Sequence, residues 1–102
     1  GAVSMVVGHH MVQGGRLILA HPEYALISIE GHTDYRGSEE FNLRLSEQRA
    51  ERVRVALIGM GVEAGRLVTR GFGKSRPIAE GQTPAASRRN RRVEFVIAEL
   101  RP

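Results

Sequence analysis

The sequence predicts an α+β fold, a two-layer sandwich in which a mixed sheet of about four strands carries two main helices on one face. Three observations lead there. Ala25, Ile27 and Ile29 alternate with Leu26, Ser28 and Glu30, the period of a strand. Leu43, Ser46, Ala50, Val53 and Leu57 fall on one stripe of a helix running from residue 39 to about 58. Near the end, Val93, Phe95 and Ile97 alternate with Glu94, Val96 and Ala98, apolar on much of both sides, which places that strand inside the sheet rather than on its edge. The elements follow in a βαβαββ order, and helices packed on a sheet bury both apolar faces at once. A chain of 102 residues suits one such domain with one core.

Residues 1–15 form a poorly legible N-terminal segment, and residues 16–102 read as a single domain. Val3, Met5, Val6 and Val7 suit a shortened first strand, whereas Gly8, His9, His10 and Met11 suit a turn or a tag remnant. The adjacent histidines are not expected to hold a metal, because neighbours on a strand point opposite ways and no third ligand is close in sequence. A helix is expected over Met11–Ala20, short or frayed at its start because Gly14 and Gly15 together cost about 2 kcal/mol relative to alanine. His21-Pro22 ends it, and the strand from Ala25 completes a βαβ unit that Gly31 is expected to stop.

Residues 33–38 are a polar loop, with Ser38 as N-cap and Glu39 and Glu40 where a helix N-terminus favours negative charge. Gly61 is the better candidate for the helix C-terminal cap. Residues 66–71 read as a strand, Leu67 and Thr69 on one face and Val68 and Arg70 on the other. Residues 74–87 contain Pro77, Gly81 and Pro84 among small and polar residues and read as a surface loop. The last strand spans residues 91 to about 100.

A net charge of +4 and a pI near 10.6 invite a polyanion partner. The aromatic residues Tyr24, Tyr35, Phe41, Phe72 and Phe95 are scattered, however, and form no stacking platform among the basic ones. In an extended chain Arg89 and Arg91 point one way and Arg88 and Arg92 the other, so the arginine run is not a single patch. Nucleic acid is therefore the rival partner and not the expected one. There is no cysteine, so redox compartment is left open. No run of eighteen apolar residues and no leader is present, and a start at Gly1 reads as a domain cut from a longer protein that holds any address or anchor. No cofactor is implied.

Asn42 and Arg49 project almost in line on one flank of the apolar stripe. An arginine at the edge of a core needs an anionic or carbonyl partner, and Asp34 is the nearest acid the topology offers. The pair is either a salt bridge that ties loop to helix or part of a binding site. Glu30, His32 and Asp34 share a side if the strand extends that far, and acids beside a histidine can activate water or hold zinc. No serine or cysteine nucleophile accompanies them, so catalysis is not expected.

The spacing is also a motif, T-D-x-x-G-x4-N-x-x-L-S-x-x-R-A, at Thr33, Asp34, Gly37, Asn42, Leu45, Ser46, Arg49 and Ala50. Gly61-Val62, Gly71-Phe72-Gly73, Arg76-Pro77-Ile78 and Asn90-Arg91-Arg92-Val93-Glu94-Phe95 follow in order. Over roughly residues 22–97 the chain resembles the OmpA-like peptidoglycan-binding domains, the family of the OmpA C-terminal domain, the Pal lipoproteins and the stator protein MotB. The resemblance implies a non-catalytic pocket for the diaminopimelate of the peptidoglycan stem peptide. Asp34 and Arg49 would face its ammonium and carboxylate, and Thr33 would hold carboxylate oxygens together with loop N–H groups. Asn42 would offer an amide or brace the loop, and Arg91 would close the pocket. Arg36 is similar in place to an arginine of the Pal branch, although from the residues alone it reads as a solvated loop side chain.

The resemblance further implies a periplasmic domain that anchors a larger protein or the outer membrane to the cell wall. Its partner would be peptidoglycan, with a homodimer possible through an exposed edge, no nucleic acid, and membrane only through parts outside this chain. Two departures stand out. The family's fuller first strand and wall-forming loop have no clear counterpart in residues 1–15, and Ala86-Ser87-Arg88-Arg89 replaces a usual Gly-Arg-Ala, which predicts an arginine contact shifted or absent.

Overall fold

A computed structural model describes residues 4–7 and 11–102 of the chain. The expectations for His9 and His10 lie outside the described residues. Strand β1 (Ser4–Val7) is followed by helix α1 (Met11–Ala20), strand β2 (Tyr24–His32), helix α2 (Glu39–Gly59) and a 3₁₀ turn (Ala64–Arg66). Strand β3 (Leu67–Gly71), helix α3 (Pro84–Asn90) and strand β4 (Arg92–Leu100) complete the order. The sheet order is β1-β4-β2-β3. Strands β2 and β3 are parallel, while β4 runs antiparallel to both β1 and β2. The expected βαβ unit is thus split, with the interior strand β4 inserted between its two parallel members.

Ile27, Ile29, Leu67, Val93 and Phe95 supply the sheet's share of the core, and Ile18, Ala50 and Leu57 the helices' share. The register pairs Ile29 with Phe95 and Ile27 with both Ile97 and Leu67, so the apolar set lies on the helix-bearing face. Ser38 caps α2 as expected, its Oγ accepting the Phe41 N–H at 3.1 Å. Gly61, at φ +106°, follows the C-cap Met60. Arg66 ties the layers: its guanidinium donates to the carbonyls of Ile18, His21 and Tyr24 at 2.9 to 3.2 Å, satisfying acceptors at the end of α1.

Several expectations change. Gly31 does not stop β2. It pairs with Gly71 and Val93 inside the sheet, and a Cβ there would collide with the Ser46 carbonyl, so glycine is what admits the α2 backbone. The buried stripe of α2 includes Asn42 in place of Leu43, which is 44% exposed. Helix α1 is formed from Met11, and Gly14 and Gly15 are buried rather than frayed, Gly15 lying against Leu57 and Met60.

The end of the stretch read as a loop is the start of α3. Its N-cap Thr83 accepts the Ala86 N–H at 3.1 Å, and Pro84 opens the helix without sacrificing a bonded N–H. Arg88, Arg89 and Asn90 are therefore helical, and the alternating placement expected of the arginine run does not apply.

The sheet face away from the core is polar. Ser28 Oγ donates to Glu30 Oε2 at 2.8 Å, and buried His32 stands 3.0 Å from Glu94 Oε2 and stacks on Phe72. Strand β2 does extend far enough to align Glu30 with His32, but Asp34 lies beyond it among arginines. Among the described residues no three His, Cys, Asp or Glu side chains gather to hold a metal.

Candidate ligand-binding site

The end of β2 delivers Thr33 and Asp34 into a loop that is fixed from two sides. Thr33 N–H donates to the Gly73 carbonyl at 2.8 Å, linking the loop to the segment after β3. Ser46 Oγ donates to Leu43 O at 2.8 Å and accepts Gly73 N–H at 2.9 Å, which binds that segment to α2. Asn42 is buried and its Nδ2 donates to the carbonyls of Arg36 and Ser38 at 2.7 and 3.0 Å. Of its two expected uses, bracing the loop is the one seen. Lys74 Nζ adds a bond to Gly37 O at 2.7 Å.

Asp34 is the electrostatic centre of the loop. Its Oδ1 accepts the Arg36 backbone N–H at 3.1 Å, and its Oδ2 accepts Arg36 Nε at 3.1 Å, Arg36 Nη2 at 2.8 Å and Arg91 Nη1 at 3.2 Å. The Asp34 side chain is 7% exposed, that of Arg36 61%. The forked hydrogen bonds from Arg36, with the positive charges of Arg36 and Arg91, hold the Asp34 carboxyl below the usual carboxylate range against the opposing effect of burial.

The opposite wall is set by Asn90 at the end of α3. Its Oδ1 accepts the N–H groups of Ile78 and Ala79 at 2.8 and 3.0 Å, and its Nδ2 donates to Ala79 O at 3.0 Å. Between this wall and the loop lies a cleft of about 530 Å³ bordered by Thr33, Asp34, Lys74, Pro77, Gln82 and Asn90. A hollow of about 360 Å³ adjoins it across Tyr35 and Gln82, and Arg36, Ser87, Arg88 and Arg91 border it. A third, of about 280 Å³, is shared by Arg49, Arg91, Arg92 and Val93.

Thr33, Asp34 and Arg91 are thus brought together, while Arg49 stands off in the third hollow. Asp34 does not pair with Arg49, because Arg36 from two residues away and Arg91 from the end of α3 occupy the carboxylate. Arg49 is half-buried and has no hydrogen-bond or ion-pair partner among the described residues. Arg88 and Arg91, three apart across the end of α3, border one hollow instead of pointing apart. Reading the sequence missed the engagement of Arg36 with Asp34, the stapling by Asn90 and the support from Lys74. Asn90 stood inside a motif but carried no assigned role, and nothing local to Lys74 signals its reach across 37 residues to Gly37.

One buried carboxylate thus lies in a cleft with Lys74, beside a hollow bordered by Arg36, Arg88 and Arg91, with Arg49 in a third hollow that shares Arg91. The sequence model of the OmpA family matches residues 13–91. The chain is 38% identical over 93 residues to the probable lipoprotein YiaD of Escherichia coli K12, covering 91% of this chain and 42% of that protein. It is 44% identical over 73 residues to the peptidoglycan-binding protein ArfA of Mycobacterium bovis, covering 72% of this chain and 22% of that protein. The crystal structure of the peptidoglycan-associated lipoprotein from Burkholderia pseudomallei superposes with a TM-score of 0.79 at 33% identity, over 91% of this chain and 87% of that one. The chain thus spans less than half the length of the two sequence relatives. Fold, motif and family match agree: the chain belongs to the OmpA family.

Proposed function

We propose that this domain binds peptidoglycan without catalysis, taking the diaminopimelate side chain of an uncrosslinked stem peptide into the cleft at Asp34. The reading places it in the periplasm, as the wall anchor of a larger protein. The observation that carries it is the Asp34 carboxylate at the cleft edge beside Arg36 and Arg91, with the unpaired Arg49 next to Arg91. Diaminopimelate ends in an ammonium and a carboxylate on one carbon, and an anion set beside forked cations is the complementary arrangement. Relatives whose names state peptidoglycan binding or association support the same reading.

The test is calorimetric titration with a soluble diaminopimelate-containing muropeptide against the wild type, Asp34→Ala and Arg49→Ala, each first shown to be folded. Saturable binding weakened by about 2 to 5 kcal/mol in each variant is expected, the cost of truncating one member of a desolvated charge pair. Binding unchanged or strengthened by Asp34→Ala would indicate a basic surface attracted to polyanions and would overturn the proposal.

A further inference from the structure

We propose that Arg36 sets the selectivity of this site by occupying the ligand's place on Asp34 until a ligand arrives that can exchange a carboxylate for it. The inference rests on the reading above and deepens it. A carboxylate offers about four acceptor positions. Four N–H groups bond that of Asp34, three of them crowded on Oδ2 and one on Oδ1. An incoming ammonium can take Oδ2 only if a guanidinium withdraws. Arg36 is the one that can: its side chain is 61% exposed and borders the adjoining hollow, whereas that of Arg91 is 37% exposed.

The loop does not need the Arg36 side chain to hold its shape. The Arg36 backbone N–H bonds Asp34 Oδ1, its carbonyl accepts from Asn42, and Lys74 bonds Gly37 O. Withdrawal thus costs the forked contact and little else. When the ligand is diaminopimelate, the released fork meets the carboxylate borne on the same carbon as the ammonium, so one charge-assisted pair is exchanged for two. A lysine side chain supplies the ammonium alone, evicts Arg36 into water and leaves it unpaired. Discrimination then arises from an internal competitor as much as from direct contact.

The experiment measures affinities of the diaminopimelate muropeptide and its lysine counterpart for wild type and Arg36→Gln, with the Arg36 Nε–H NMR signal followed in the wild type. The ratio of the two affinities is expected to fall about tenfold or more in Arg36→Gln, the lysine peptide being the one that tightens. In the wild type, Nε–H should stay protected from water in the diaminopimelate complex and lose protection in the lysine complex. Equal weakening of both peptides, or an unchanged ratio, would overturn the proposal and leave the parent reading standing. Failure of the wild type to bind the diaminopimelate peptide at all would overturn both.

Discussion

Replacing Asn90 with alanine removes three hydrogen bonds in one step, because the single amide accepts the N–H groups of Ile78 and Ala79 and donates to Ala79 O. Asn90 itself is 5% exposed. A typical bond is worth about 1 kcal/mol net, and more when the abandoned partner stays buried. Ile78 is 46% exposed, so its freed N–H can find water, whereas Ala79 is half-buried and recovers less. The sum is about 2 to 3 kcal/mol, or about 10 to 20 °C in Tm for a domain of this size. Urea unfolding gives the stability, and amide exchange at Ile78 and Ala79 locates the loss. Asn90→Asp keeps both acceptor contacts but sets a carboxylate oxygen against Ala79 O, so it should recover only part of the difference. A loss below about 1 kcal/mol, or unchanged protection at both amides, would refute the stapling role.

Carbon-13 detected titration of the Asp34 carboxyl should give a midpoint below the unperturbed value of about 3.9, because Arg36 and Arg91 favour its charged form. With a depressed folded value, its contribution to stability is present above about pH 4 and lost as pH falls through that midpoint; a midpoint at or above 3.9 would contradict the pairing. His32 runs the other way. Burial first, then the charge of Arg92, lowers its basicity against the pull of Glu94 and Glu30, while Phe72 covers the ring. The unfolded chain then takes up the proton first, so stability is full above about pH 6.5 and falls as pH drops below it. His32→Gln should flatten that slope in urea midpoints measured between pH 7 and 5, and an equal slope in both proteins would count against it. Arg66→Ala should cost about 2 to 3 kcal/mol by thermal unfolding, since it strips the carbonyls of Ile18, His21 and Tyr24 of their shared donor, and Arg66→Lys should not restore it.

Elements whose signal is local were legible in the sequence. The alternation through Ile27 and Ile29, the Ser38 cap and the central strand through Phe95 each rest on a few neighbouring residues, and all three stand in the structure. Helix α3 was missed although its Thr83-Pro84 start is a local signal, because Pro77, Gly81 and Pro84 together dominated the reading of residues 74–87. Gly31 was misread for a tertiary reason: a glycine that admits a neighbouring helix looks, in sequence, like one that ends a strand. Leu43 and Asn42 changed places on the buried stripe because the loop's carbonyls need a donor there and the core does not reach that turn. The partners of Asp34 were the least legible, since Arg91 lies 57 positions away and enters only through the end of α3.

Chemical-shift mapping of the wild-type domain with a soluble diaminopimelate muropeptide tests the central claim most directly. Saturable shifts gathered at residues 33–37, 78–83 and 88–92, with Arg49 affected and the polar sheet face around Glu30 quiet, are the predicted result. No saturable shifts, or shifts confined to the sheet face away from Asp34, would contradict it.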